Sequence, residues 1–264
     1  MPSLNEFPDP FELRSKLSLV KPLPWHFAGN GYEVFFEIEP STAKELLPPP
    51  LSLSRFPGLL SVVFSDMVST SHAQDMVSDP YACQYQECLV KIHCQYDGQA
   101  GWYVPLSFVD KDFSLVRGIF QGFPKRIATI SMTRFHTHHS QVASVAEFGK
   151  VKALADRIGA GSISLELEVR GSGPELPSDL GRMYVMRHIP DITTPGHPLV
   201  HDLCELSVRD HVKVQLAAGD GFAEIETVDA FGMVTPKKFF GARAISEGFT
   251  LTGARSLYSY INLN

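Results

Sequence analysis

The chain has 264 residues, of which 44% are apolar and 20% are charged, the composition of a globular protein with a sizeable core. A formal net charge of -6 argues against a nucleic-acid-binding surface, and no apolar run approaches the roughly 20 residues that a membrane-spanning helix needs. The N-terminal sequence lacks the basic and apolar regions of a signal peptide, and the four cysteines form no Cys-x-x-Cys pair. We therefore expect a cytoplasmic protein with reduced thiols and with neither a nucleic-acid nor a membrane partner.

Alternation of apolar and polar residues with a period of two runs through most of the chain and predicts antiparallel strands. The clearest case is the segment 162–170, in which Ile163, Leu165, Leu167 and Val169 share one face. In chain order, strands are predicted at 32–38, 85–93, 102–109, 127–135, 141–148, 162–170, 182–189, 211–216 and 249–251.

Helical signals are few. A capping box at 42–45 predicts the start of a short helix that the prolines at 48–50 end. A second short helix is predicted from Asp110 or Asp112 toward Gly118. Together with the alternation, these signals predict a mainly antiparallel β protein in which helices are only short connections.

The segment 122–126 reads Gly-Phe-Pro-Lys-Arg and contains a candidate nucleophile. A lysine with a pKa of about 10.4 is almost wholly protonated at neutral pH, so it cannot attack a carbonyl group. Burial against Phe123 and Ile127 and repulsion from Arg126 would both lower the pKa of Lys125 and make it a Schiff-base-forming amine. The alternative is a solvated turn, which is the commoner structure for a Lys-Arg pair after proline.

The order and spacing of several segments resemble the acetoacetate decarboxylase superfamily. Tyr85-Gln86-Glu87 lies about forty residues before the lysine turn, as a Tyr-x-Glu does in that family. Further similar segments are 32–38 with 45–48, 103–106, 185–190, 203–206 and 254–261. The resemblance implies one domain over 1–264, with 1–24 as an N-terminal extension. It also implies antiparallel sheets in a closed or partly closed barrel-like arrangement, and assembly into a homo-oligomer.

The resemblance also assigns candidate site residues. Lys125 would form an imine with a keto acid or ketone, and Arg126, in place of a second lysine, would help to keep Lys125 neutral. Glu87 would move protons, although a carboxylate on a strand is more often simply exposed. Candidate substrate-binding residues are Asn30, Ser65, Tyr85, Phe123 and Met186. Neither a cofactor nor a metal is expected.

The chain also departs from the family pattern. Asn30 stands where the decarboxylases carry an arginine that binds the substrate carboxylate, and an amide cannot form a bidentate cationic clamp. Ser65 stands where the family has a pocket acid, although the neighbouring Asp66 leaves the register open. Arg117-Gly118-Ile119 replaces a Gly-Arg-Glu, and an additional stretch at 71–83 precedes Tyr85.

These departures make acetoacetate a poor candidate substrate. The sequence favours a Schiff-base decarboxylase that acts on a β-keto acid larger than acetoacetate. A Schiff-base aldolase-dehydratase that joins a keto acid to an aldehyde is the first alternative, because a protonated imine also promotes enamine formation. A non-covalent ligand binder or cyclase-type catalyst that uses the family cavity is the second.

Two other patterns contain candidate functional residues. The segment 236–238 is a second Pro-Lys-Lys turn, but it has no Tyr-x-Glu at the matching distance upstream, which favours a solvated pair. His136 and His138 would share one strand face, but no carboxylate or cysteine stands at ligand spacing, so an exposed polar strand is the preferred interpretation.

Overall fold

The computed structural model describes residues 19–135, 149–170, 182–227 and 234–261. The strands are β1 Trp25–Glu37, β2 Ser52–Leu53, β3 Leu59–Thr70, β4 Gln84–Tyr96, β5 Gln99–Val109, β6 Lys125–Ile127, β7 Thr129–Met132, β8 Lys150–Arg157, β9 Gly161–Val169, β10 Arg182–Pro190, β11 Pro198–Thr227 and β12 Lys238–Ser259. The helices are α1 Pro40–Glu45, α2 Asp75–Ser78 and α3 Asp112–Gln121, and Pro80–Cys83 forms a 3-10 turn. No helix in these ranges is long and apolar enough to cross a membrane.

Seven strands form a closed ring. Within it β5, β4, β3, β1, β12 and β11 pair in that order, each antiparallel to the next. The ring closes through β10, which pairs antiparallel with β11 and parallel with β5. The second half of β11 leaves the ring and pairs with β9, which continues into β8 and β7. The prediction of a mainly β, barrel-like fold with a few short helices is confirmed.

The two faces of the ring strands pack differently. On β1, Tyr32, Val34 and Phe36 belong to a large apolar core that also contains residues of β7, β8 and β9. Because side chains alternate along a strand, Phe27 and Glu33 face the other side of β1 and point into the ring. The interior of the ring is therefore a compartment separate from the main core, and it holds the site described below.

Several predicted boundaries need correction. The helix expected to open with a capping box at Thr42 begins two residues earlier, with Pro40 in its first turn and no side-chain cap. The helix expected to end near Gly118 continues to Gln121, and Gly122 ends it. The segments 211–216 and 249–251 are parts of the long strands β11 and β12. The predicted strand 141–148, together with His136 and His138, lies outside the described residues.

Candidate active site

Lys125 begins the short strand β6, directly after the turn that ends α3. Gly122 adopts φ 98°, and the N–H groups of Gly122 and Phe123 both donate to the carbonyl of Gly118 at 2.9 Å. This is a glycine-based helix cap, and it reverses the chain so that Lys125 pairs with Ser107 of the parallel strand β5. The sequence Gly-Phe-Pro therefore fixes the start of β6 and the direction of the lysine side chain.

The Lys125 side chain is buried, with 4% of its surface exposed. Its Nζ donates to Oε2 of Glu87 at 3.2 Å and to Oγ of Ser114 at 3.0 Å. Nζ also lies 5.2 Å from the ring centroid of Tyr85 and 5.6 Å from that of Phe123. The amine is thus held by one carboxylate and one hydroxyl among aromatic surfaces.

One face of α3 carries the surroundings of the lysine. Ser114, Arg117, Gly118 and Gln121 are buried and follow the i, i+3, i+4, i+7 spacing of a helix face. Gly118 packs directly against the aliphatic stem of Lys125, where an added Cβ would overlap its Cγ and Cδ atoms. Glycine at this position leaves the space that the stem occupies.

Arg117 places a positive charge close to this amine. Its guanidinium carbon lies 4.8 to 5.5 Å from the ring centroids of Trp25, Phe27, Tyr85 and Phe113, and its NH1 donates to Oγ of Ser69 at 2.7 Å. A charge surrounded by aromatic rings is less screened than one in water, so its field extends further.

Three effects set the pKa of Lys125. Burial lowers it, the carboxylate of Glu87 raises it, and the guanidinium of Arg117 lowers it, and the net result is a pKa below the ordinary value. The repulsion predicted from Arg126 comes from Arg117 instead. Arg126 is next to Lys125 on β6, so its side chain points to the opposite face of the strand and does not line the cavity.

The amine opens into a cavity of about 360 Å³ inside the ring, a volume within the range of ligand pockets. Five of the residues predicted from the sequence line it: Lys125, Glu87, Ser65, Tyr85 and Phe123. The roles assigned to these residues stay predictions. Burial also raises the pKa of the Tyr85 hydroxyl, so this side chain is neutral.

The register of β3 decides between Ser65 and Asp66. Ser65 is buried, lines the cavity and is paired with Glu87 across β3 and β4. Asp66 belongs to the opposite face, where its Oδ2 contacts Nε of Arg134 at 2.9 Å. Serine therefore occupies the cavity position next to Glu87.

Two predicted substrate-binding residues do not line the cavity. Asn30 is exposed on the face of β1 opposite Phe27, because Gly29 and Gly31 take the positions that face the ring interior. The backbone of Met186 lies beside Gly122, and on β10 it is Met183, of the opposite parity, that lines the cavity. The additional stretch at 71–83 forms α2 and the 3-10 turn and is also outside the lining.

A second group of charged residues lies at the cavity wall and has no signal in the sequence. Its centre is Glu33, whose carboxylate is fully buried. Lys91 Nζ contacts its Oε1 at 2.7 Å, and Arg243 NH2 contacts its Oε2 at 2.7 Å. Lys213 Nζ lies 3.6 Å from Oε2 of Glu33 and 3.6 Å from Oε2 of Glu247. We call these five residues the charged wall.

The charged wall holds Glu33 ionised. Burial alone would raise the pKa of Glu33, but Lys91, Lys213 and Arg243 hold it well below its usual range. The pKa of Glu247 is also lowered despite burial, because the His211 ring, whose Nε2 lies 3.7 Å from Oε2 of Glu247, and the Lys213 ammonium both stabilise its charged form. Lys91, Lys213, His211 and Glu247 all line the cavity that contains Lys125.

Comparisons with known proteins show the family of this chain and its fold. Residues 10–261 match the model of the family described as acetoacetate decarboxylase (ADC). No curated protein sequence matches the chain significantly. Among solved structures, the enduracididine biosynthesis enzyme MppR, complexed with the condensation product of pyruvate and imidazole 4-carboxaldehyde, superposes with a TM-score of 0.84 at 25% identity, over 93% of each chain.

Two further solved structures have the same fold. An acetoacetate decarboxylase-like enzyme from Sphingomonas wittichii RW1 has a TM-score of 0.82 at 26% identity, over 92% of this chain and 96% of its own. The acetoacetate decarboxylase from Legionella pneumophila subsp. pneumophila str. Philadelphia 1 has a TM-score of 0.69 at 18% identity, over 91% and 90% of the two chains. At 18% identity, the second likeness extends to the fold alone.

Proposed function

Because the chain belongs to the acetoacetate decarboxylase family, we propose that it is an enzyme in which Lys125 forms a Schiff base with the carbonyl group of a keto acid. The observation that carries the proposal is the buried Lys125 amine, which has a lowered pKa, contacts Glu87 and Ser114, and opens into a cavity of about 360 Å³. A neutral amine in such a cavity has the lone pair that attack on a carbonyl carbon requires.

The proposed chemistry begins with the neutral Lys125 amine. Its nitrogen adds to the keto carbon, one water molecule leaves, and uptake of one proton from solvent gives a protonated imine. Glu87, at 3.2 Å from the same nitrogen, then removes a proton from the carbon next to the imine, and the electrons of that C–H bond form an enamine. Ser114 donates or accepts a hydrogen bond at the nitrogen during these changes and keeps it in position.

We favour aldol addition followed by dehydration as the reaction of this enamine. The enamine carbon would attack the carbonyl carbon of an aldehyde, the resulting hydroxyl would leave as water, and hydrolysis of the imine would release an unsaturated keto acid and regenerate Lys125. The similarity to MppR supports this choice, because that protein is known in complexes with pyruvate and with a pyruvate–aldehyde condensation product. The size of the cavity also suits two reactants.

Decarboxylation of a β-keto acid larger than acetoacetate is the second candidate, and the match to the family model favours it. In this reaction the imine would accept the electron pair of the bond to the carboxylate, and carbon dioxide would leave. Protonation of the enamine and hydrolysis would then give the ketone. Both reactions use the same amine and the same imine. They differ only in the step that follows imine formation, which makes a C–C bond in the aldol addition and breaks one in the decarboxylation.

Two assays distinguish these candidates. The first follows the ultraviolet absorbance of a conjugated product when the protein is given pyruvate and an aromatic aldehyde. The second measures carbon dioxide released from acetoacetate and from longer β-keto acids. We expect condensation in the first assay and little carbon dioxide from acetoacetate. Brisk decarboxylation of acetoacetate without condensation would contradict the preferred reaction.

Arg117 provides a prediction about pH dependence. Replacing it with methionine removes the charge that lowers the pKa of Lys125, so this pKa should rise. The neutral fraction of the amine at pH 7 then falls, and the acid limb of the rate of imine formation moves to higher pH. Trapping the imine with borohydride across a pH series measures this limb.

Arg117→Lys serves as the matched control, because it keeps a positive charge among the same four aromatic rings. Its acid limb should stay closer to that of the unmodified protein than the limb of Arg117→Met. Equal displacement of the limb in both variants would indicate that Arg117 acts through packing rather than through its charge.

A further inference from the structure

The charged wall is an unusual lining for a cavity that performs imine chemistry. Buried ion pairs contribute little net stability, because removing charges from water costs about as much as their attraction returns. Glu33 already has close partners in Lys91, Arg243 and Ser61, whose hydroxyl donates to it at 2.7 Å. Lys213 Nζ lies 3.6 Å from Oε2 of each of two carboxylates, those of Glu33 and Glu247, and the residue lines the cavity.

The position of the wall relative to the amine follows from strand geometry. Glu87, Leu89 and Lys91 are alternate residues on one face of β4, and all three line the cavity. At about 3.4 Å per residue, the Cα atoms of Glu87 and Lys91 are about 14 Å apart. Val63, on the neighbouring strand β3, is paired with Leu89. The cavity therefore has a reactive end at Lys125, an apolar middle, and a cationic end at Lys91.

We propose that Lys91 and Lys213 form a subsite for an anionic group of the substrate, remote from the carbonyl that reacts with Lys125. The two ammonium groups contact opposite oxygens of the same Glu33 carboxylate, so both lie at one place on the wall. An ammonium group has three N–H donors, so an ammonium group that contacts Glu33 can also bind the carboxylate of a ligand in the cavity. Charge-assisted hydrogen bonds of this kind are the strong ones in a cavity shielded from water.

This inference rests on the proposed function and names the substrate class. One of the reacting molecules would be a carbonyl compound with a terminal carboxylate, separated from the carbonyl group by an apolar spacer of several carbon atoms. The spacer would pass Leu89 and Val63, while the carboxylate would reach Lys91 and Lys213. The same subsite would bind the carboxylate in place of the arginine that the decarboxylases carry where this chain has Asn30. It lies too far from Lys125 for a short molecule such as acetoacetate to reach both.

The test compares methyl ketones that differ only in a terminal charge. The keto carboxylates 6-oxoheptanoate and 7-oxooctanoate are paired with the neutral ketones 2-heptanone and 2-octanone, and the adduct on Lys125 is trapped with borohydride and measured by intact mass. We expect the carboxylates to reach half-maximal trapping at a concentration about 10 to 100 times lower than the neutral ketones do. In Lys91→Met and Lys213→Met this ratio should fall toward one, and Lys213→Arg should largely keep it.

Arg182 is the internal control, since it is another cation of the lining but is held by Glu205 at 2.6 Å and is 39% exposed. Loss of the ratio in Arg182→Met rather than in the lysine variants would overturn the proposal, as would a ratio near one in the unmodified protein. A far-UV circular dichroism spectrum checks that each variant is folded.

A second measurement separates this inference from the proposed function. Calorimetric titration of Lys125→Met with the same four compounds needs no imine. If no ketone is trapped in the unmodified protein, the proposed function fails, and the titration still decides the subsite. Tighter binding of the carboxylates, lost in Lys125→Met/Lys213→Met, supports it. Equal binding of charged and neutral compounds contradicts it.

Discussion

Replacing Lys125 with methionine is expected to abolish the borohydride-trapped adduct with pyruvate and to lower turnover by at least about 10³-fold. Methionine keeps an unbranched stem of similar length, so it fills the groove beside Gly118 and preserves the packing of α3. It lacks the amine that attacks the carbonyl carbon. Intact mass after borohydride reduction measures the adduct, and peptide mapping locates it.

Lys237→Met is the matched control, because Lys237, like Lys125, directly follows a proline and precedes a second basic residue. Its side chain is half exposed and pairs with Glu39 outside the cavity. This variant should form the adduct as the unmodified protein does. An adduct that persists in Lys125→Met and disappears in Lys237→Met would mean that Lys237, and not Lys125, is the nucleophile. Absence of any adduct from the unmodified protein would indicate a non-covalent binder or cyclase-type catalyst.

Glu87→Gln should separate imine formation from turnover. Glutamine keeps the size and a hydrogen bond to Lys125 but cannot accept the proton that leaves the carbon next to the imine. General acid–base groups contribute about 10²- to 10⁴-fold, so kcat should fall by that order while KM changes little. The borohydride adduct on Lys125 should still form. Steady-state kinetics and trapping on the same preparation measure the two quantities.

The same variant has a predicted pH signature. The Glu87 carboxylate raises the pKa of Lys125, so its removal should lower that pKa further. The amine then stays neutral at lower pH, and trapping should extend to lower pH even though turnover has dropped. A parallel loss of trapping and turnover would mean that Glu87 only positions the lysine. Unchanged turnover would show that Glu87 takes no part in the catalytic steps.

The sequence predicts half-buried strands such as β9 well because they carry their own signal, the period-two alternation seen in 162–170, but β3 and β8 have no counterpart among the predicted strands. Lys125 is a candidate from its own segment, whereas Glu87 is predicted as a site residue only through the resemblance to the acetoacetate decarboxylase superfamily. The choice between Ser65 and Asp66 was left open, since neighbouring residues on a strand face opposite sides and only the pairing with β4 decides which faces the ring.

Other features required the three-dimensional structure. The charged wall combines Glu33 and Lys91 with Lys213 and Arg243, more than a hundred residues further along the chain, and the pairing of β1 with β12 and of β12 with β11 brings them together. Arg117 was noted in the sequence only as a departure from the family pattern. The buried face of α3 does have a signal in the sequence, the helical spacing of Ser114, Arg117, Gly118 and Gln121. A helix predicted to end near Gly118 does not include Gln121, so the pattern is incomplete.

With the exception of Glu87 and Tyr85 on β4, the amine and its neighbours come from one short stretch of chain. The helix α3, its glycine cap and β6 supply Lys125, its hydroxyl partner Ser114, its cationic neighbour Arg117 and the groove at Gly118 within residues 112–127. The wall proposed to select the substrate belongs to distant strands. Apart from Glu87 on β4, the reactive groups and the proposed selective groups are thus encoded in separate parts of the chain, so substrate preference can be changed, by evolution or by design, at Lys91 and Lys213 while the nucleophile is left untouched.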